Sequence, residues 1–162
     1  MSDDAIDLAL MNELFNGFVP HNRALGLVIT TASFEPPAVT IRLPWSDRLV
    51  GHPETGVLHG GAITTLLDAC CGASVYFKLK APTPIATLDL RVDFLGKVAS
   101  RRDVFARAEC HQATRTVAFA RATAWADGEA TPFATATASF AIGTKGKAVT
   151  DEARARLEGN SP

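Results

Sequence analysis

The sequence predicts an α+β fold in which an antiparallel sheet curls around one long helix. Three observations carry this. Gly60 to Lys78 is the one long helical segment and is apolar nearly all round, as a helix is when it lies inside a domain. Four segments alternating with period two follow it, joined by connections short enough to impose antiparallel pairing. Alanine fills one face of two neighbouring strands, Ala118, Ala120, Ala122, Ala124 and Ala126 on the first and Ala134, Ala136 and Ala138 on the next. Such shallow faces leave room for the helix to lie close against the sheet.

Taken in order, residues 4–16 place Ile6, Leu10, Leu14 and Phe15 at helical spacing behind acidic residues, which predicts a short amphipathic helix. Residues 26–34 and 38–43 are β-rich runs around Pro36-Pro37 and read as a hairpin. Trp45 to Leu58, rich in Gly, Pro and charge, reads as a loop. Pro82 and Pro84 close the long helix. The four strands are 85–95, 103–111, 116–126 and 133–142. In the first, Ala86, Leu88, Leu90, Val92 and Phe94 share the apolar face, and Thr87, Asp89, Arg91 and Asp93 the other. The whole forms one domain over 1–162. Its core runs from about 25 to 142, after an N-terminal helix and linker (1–24) and before a polar tail (143–162) in which Thr150 to Leu157 has helical character.

At 162 residues, 47% hydrophobic and 20% charged, the chain suits a globular core. A net charge of −1 leaves no basic footprint for nucleic acid or for a standing hold on acidic lipid. Cys70, Cys71 and Cys110 are odd in number and form no Cys-x-x-Cys pair, so neither a disulfide framework nor a zinc site is expected. The acidic start lacks a signal's basic and apolar regions, and no uninterrupted apolar run reaches spanning length. These features make a cytoplasmic protein the expectation.

At about 100° per residue, Ile63, Leu66, Leu67, Cys70, Ala73 and Phe77 form the broad apolar face of the long helix. Gly61, Thr64, Thr65, Asp68 and Gly72 form a narrow stripe opposite. A carboxylate there reads equally as a structural hydrogen bonder and as a reactive group. Two features favour the second: the small neighbours admit a ligand, and free N–H groups at His59-Gly60-Gly61 would favour developing negative charge. Eight residues separate Gly60 from Asp68, or about 12 Å along a helix axis. If both act on one carbonyl, they must come from different subunits, as two antiparallel helices in a twofold dimer would allow.

Gly56-Val57-Leu58-His59-Gly60-Gly61-Ala62-Ile63-Thr64-Thr65-Leu66-Leu67-Asp68 resembles the signature of PaaI-like hotdog thioesterases, relatives of the phenylacetate-degradation and 4-hydroxybenzoyl-CoA enzymes. Residues 87–94 resemble the strand that follows the helix in that family, and the likeness covers about 25–142. It implies a hotdog fold, a homodimer or dimer of dimers, and hydrolysis of an aromatic or medium-chain acyl-CoA, with coenzyme A present only as part of the substrate. Asp68 matches the nucleophile or general base, Gly60 the N–H that polarises the thioester carbonyl from the partner subunit, and Thr87 a hydroxyl that holds water or the carboxylate. His59 matches the turn, shaping it or bonding near the thioester. By alternation Thr87 lies opposite the core face, so its role requires a dimer contact or an irregular strand. The family's usual Asn-Pro is His52-Pro53 here, and its Arg-Pro is Gly96-Lys97. His52 can orient water or the thioester oxygen, or stand as an exposed loop residue. Gly61, Thr64 and Thr65 flank the substrate position, and Lys97, Arg101, Arg102 and Arg115 are loop cations suited to phosphates.

A thioester carbonyl is already electrophilic, so carboxylate, water and oxyanion donor suffice without a metal. Other readings are a non-catalytic acyl-CoA sensor or carrier, and a hotdog dehydratase, whose catalytic His with an acidic partner in a different motif is missing. A cysteine hydrolase is disfavoured, because Cys70 and Cys71 have no visible base and suit core packing.

Overall fold

A computed structural model describes residues 6–98, 100–144 and 155–156 of the chain. Two helices open it, α1 (Leu8–Phe18) and α2 (Pro20–Leu25). Strands β1 (Val28–Phe34) and β2 (Pro37–Leu43) follow, then a 3-10 turn (Asp47–Leu49) and a small ribbon of β3 (Val50–His52) and β4 (Val57–Leu58). Helix α3 (Gly60–Leu79) leads into β5 (Ile85–Phe94), β6 (Val104–Ala113), β7 (Val117–Ala126) and β8 (Ala134–Ile142). Six strands form one antiparallel sheet in the order β1-β2-β6-β7-β8-β5.

The expected architecture is present: α3 lies across β2, β6 and β7, and the sheet wraps it. The alanine faces of β7 and β8 are buried, and Ala106 and Ala108 of β6 extend them. Ile63, Leu66, Leu67 and Val75 are fully buried, each worth about 1.5–3 kcal/mol. By length and apolarity α3 could also cross a membrane, although Thr64, Thr65 and Asp68 interrupt its apolar run. Its burial in the sheet accounts for that composition.

Some expectations change. The segment read as a linker contains α2, with Pro20 at its start and Gly26 in the left-handed conformation at its end, the usual punctuation of a helix. The segment read as a loop contains the β3-β4 ribbon. The tail from Thr144 falls outside the described residues, apart from Thr144 itself and the helical pair Ala155 and Arg156.

The two sheet edges differ. At β1, Asn12 accepts from Ile29 N–H at 2.7 Å and donates to Ile29 O at 2.9 Å, while Asn16 donates to Leu27 O at 3.1 Å. Helix α1 thereby pairs backbone groups at that edge. The other edge, β5, carries Leu88, Phe94 and Leu95 exposed at 59%, 49% and 63%.

Candidate active site

His59 is the N-cap of α3, and its Nδ1 accepts the Gly61 N–H at 2.9 Å. That bond explains the second glycine, since a Cβ on Gly61 would meet His59 Nδ1 at 2.9 Å. It also separates the two glycines chemically. Gly61 has spent its N–H on the cap, whereas the Gly60 N–H meets no acceptor among the described residues. A Cβ on Gly60 would touch only the Phe94 ring, at an ordinary 3.6 Å. Gly60 therefore presents a free N–H with open space beside it. Capping predicts that His59→Ala lowers stability by about 1 kcal/mol in urea unfolding and that His59→Asn restores most of it. A large activity loss at unchanged stability would instead give His59 a chemical role.

The stripe on α3 is open at Gly61, Thr64, Thr65 and Asp68 and closes at Gly72, which lies under Phe140 and Ile85. Thr64 and Thr65 donate their hydroxyls to Gly60 O and Gly61 O at 3.0 Å each. Their protons thus serve the helix, and both can offer a ligand only oxygen lone pairs.

Asp68 is half-buried, and Thr87 donates to its Oδ1 at 3.0 Å. The reason is a bulge in β5. Thr87 pairs with Phe140 and Asp89 with Ser139, so Leu88 is an extra residue without a partner. The extra residue reverses the alternation at that point. Phe140 is buried, and Thr87 opposite it lies on the sheet face toward α3, as do Ile85 before the bulge and Leu90, Val92 and Phe94 after it, although Thr87 and Phe94 stay exposed at this edge. The apolar face read from the sequence is corrected accordingly: Ala86 and Leu88 are exposed. Strand β5 thus runs back along α3, with Ile85 beside Gly72, Thr87 beside Asp68 and Phe94 beside Gly60.

The remaining candidates are dispersed. His52 is exposed at the end of β3, where its carbonyl accepts from Thr55 and Gly56. Arg101 stacks on Trp45 at 5.8 Å, and Arg102 pairs with Glu129 at 3.4 Å. Lys97 has no ion-pair partner among the described residues. Arg115 lies beyond the far end of β6 from Arg101 and Arg102, about 30 Å away along that strand. One ligand on one subunit cannot use both ends. A cleft of about 400 Å³ beside the start of α3 adds residues that the sequence did not single out, His21 and Arg48, next to His59, Gly61 and Thr65. Their signal lay in α2 and the 3-10 turn, whose boundaries went unread.

The thiols are poor nucleophiles. Burial raises Cys70 well above the ordinary thiol value, helped by Cys71. Burial, then the Asp68 and Cys110 charges, push Cys71 up to about 12, and burial raises Cys110. All three remain protonated at neutral pH and pack in the core. Among the described residues, no group of three or more His, Cys, Asp or Glu side chains is placed to hold a metal.

The family model of the thioesterase superfamily matches residues 55–133, the stretch that carries α3 and β5 to β7. A proposed esterase of Halobacterium salinarum is 33% identical over 110 residues, 63% of this chain and 72% of that protein. A Pseudomonas aeruginosa protein of solved structure is 37% identical with a TM-score of 0.73, over 83% of this chain and 97% of its own. A thioesterase family protein from Silicibacter pomeroyi is 30% identical with a TM-score of 0.70, over 82% and 97%.

Proposed function

The chain belongs to the thioesterase superfamily and is a hotdog-fold thioester hydrolase, and from that premise we propose that it cleaves acyl-CoA at a site shared between two subunits. The observation that carries this is the Thr87–Asp68 hydrogen bond at 3.0 Å, made across a bulge that turns one hydroxyl toward one half-buried carboxylate. With Oδ1 held by Thr87, Oδ2 keeps its lone pairs for a water proton or for the thioester carbon itself. The carbonyl oxygen takes the Gly60 N–H, which the helix dipole reinforces. The products are the free acid and the thiol of coenzyme A.

The subunit pairing follows from reach and from the bare edge. Gly60 and Asp68 are eight residues apart on one straight helix, about 12 Å along its axis, so one carbonyl cannot meet both in one chain. Among the described residues strand β5 is an unpaired edge with exposed apolar residues, a surface that favours a second strand. Antiparallel pairing of β5 with its copy sets two α3 helices antiparallel, and each partner's Gly60 then faces this chain's Asp68. Lys97, in the same β5–β6 loop as the Trp45-stacked Arg101, is a loop cation available to a coenzyme A phosphate.

The test is thiol release from a panel of aliphatic and aromatic acyl-CoAs. Saturable hydrolysis of at least one is expected. Saturable binding of acyl-CoA without any turnover would overturn catalysis and leave a sensor or carrier.

A further inference from the structure

We infer that the acyl group lodges in the apolar cavity between α1 and the C-terminal half of α3, and that the enzyme therefore prefers apolar acyl chains without polar substituents. This rests on the reading of Asp68 as the reacting carboxylate. The cavity measures about 430 Å³, within the range of small-ligand sites. Leu14 and Phe15 of α1, Ile29 of β1, and Ala73 and Phe77 of α3 wall it. Four of these, Leu14, Ile29, Ala73 and Phe77, are buried, so they form the floor. The polar side chains that line it, Tyr76, Lys80 and Thr83, are more exposed than the floor, and Lys80 is held by Glu35 at 3.0 Å.

Position links this cavity to the carboxylate. Ala73 is five residues beyond Asp68 on the same helix, about 7.5 Å along the axis and about 140° around it. The residues on that arc between them are Gly72 and Ala69. Gly72 lies under Phe140 and Ile85, so the open way runs over half-buried Ala69, whose methyl leaves a chain from Asp68 room to pass. The floor offers no hydrogen-bond partner, and a hydroxyl buried there goes unpaired. Walls of this kind reward each added methylene until the space is filled, and they reject a ring hydroxyl only moderately.

The experiment measures kcat/KM for butanoyl- to dodecanoyl-CoA and for phenylacetyl- against 4-hydroxyphenylacetyl-CoA. We expect a rise of about fourfold per methylene up to an optimum, and a loss of about tenfold to a hundredfold for the hydroxyl. Ala73→Met should move the optimum to shorter chains and Phe15→Ala to longer ones. Hydrolysis with an unchanged chain-length profile in both variants overturns the cavity as the acyl site while leaving the Asp68 reading intact. If no thioester is turned over, that reading fails, and the cavity is judged by calorimetric titration of Asp68→Asn with decanoyl-CoA. Adding Ala73→Met should weaken this binding at least tenfold; unchanged affinity overturns the proposal.

Discussion

Asp68→Asn is expected to lower kcat for thioester hydrolysis by about a thousandfold while the protein stays folded. The replacement is nearly isosteric, and its amide oxygen can still accept the Thr87 hydroxyl that now bonds Oδ1 at 3.0 Å. The geometry of the bulge therefore persists. What disappears is the oxygen that takes a proton from water or attacks carbon. KM should move little, because the carboxylate serves the transition state more than the ground state. Thr87→Val removes the donor and frees the carboxylate to rotate, a change expected to cost about tenfold, with recovery in Thr87→Ser. These values come from steady-state thiol release with unfolding curves recorded alongside. Activity of Asp68→Asn within tenfold of the wild type would sink the assignment, since no other carboxylate among the described residues meets Thr87.

How the site is built explains which parts of it were legible. Helix α3 was readable almost to the residue, Gly60 to Lys78 against the observed Gly60–Leu79, because it runs from a Gly-Gly turn to a proline-rich stop. The alanine faces announced the helix's nearness to the sheet, since side-chain volume is a local property that survives without coordinates. Thr87 was not readable in place. The run Ala86 to Phe94 alternates without interruption, and the skipped pairing at Leu88 depends on the partner strand. Period-two reasoning sees one strand, whereas register belongs to two. The role of His59 was hidden for a related reason: a His-Gly-Gly turn states its backbone freedom but not that the ring will accept the Gly61 N–H. The basic loops show the opposite failure. Arg101 and Arg115 look alike in sequence, yet the first covers Trp45 and the second lies beyond the other end of β6.

Gly60→Ala separates catalysis from folding and tests the subunit arrangement. In this chain an added Cβ meets only Phe94 Cζ at 3.6 Å, so the melting temperature should hold within a few degrees. The same methyl occupies the space through which a carbonyl oxygen would approach the Gly60 N–H, and losing one oxyanion donor typically costs about 10²- to 10³-fold in kcat. Gly61→Ala should behave differently. Its Cβ would meet the His59 ring at 2.9 Å, which breaks the cap and lowers stability. Pairing of Gly60 with the partner's Asp68 makes a sharper demand. When Gly60→Ala and Asp68→Asn chains are unfolded together and refolded at equal concentration, half the dimers are mixed. In each mixed dimer one site carries both substitutions and the other carries none. Activity should therefore recover to about a quarter of wild type, far above either parent. Recovery no greater than the mean of the parents would mean that both groups act within one chain. A separation of about 12 Å on a single helix makes that outcome incompatible with a shared carbonyl, and Gly60 would then have to give up its oxyanion role.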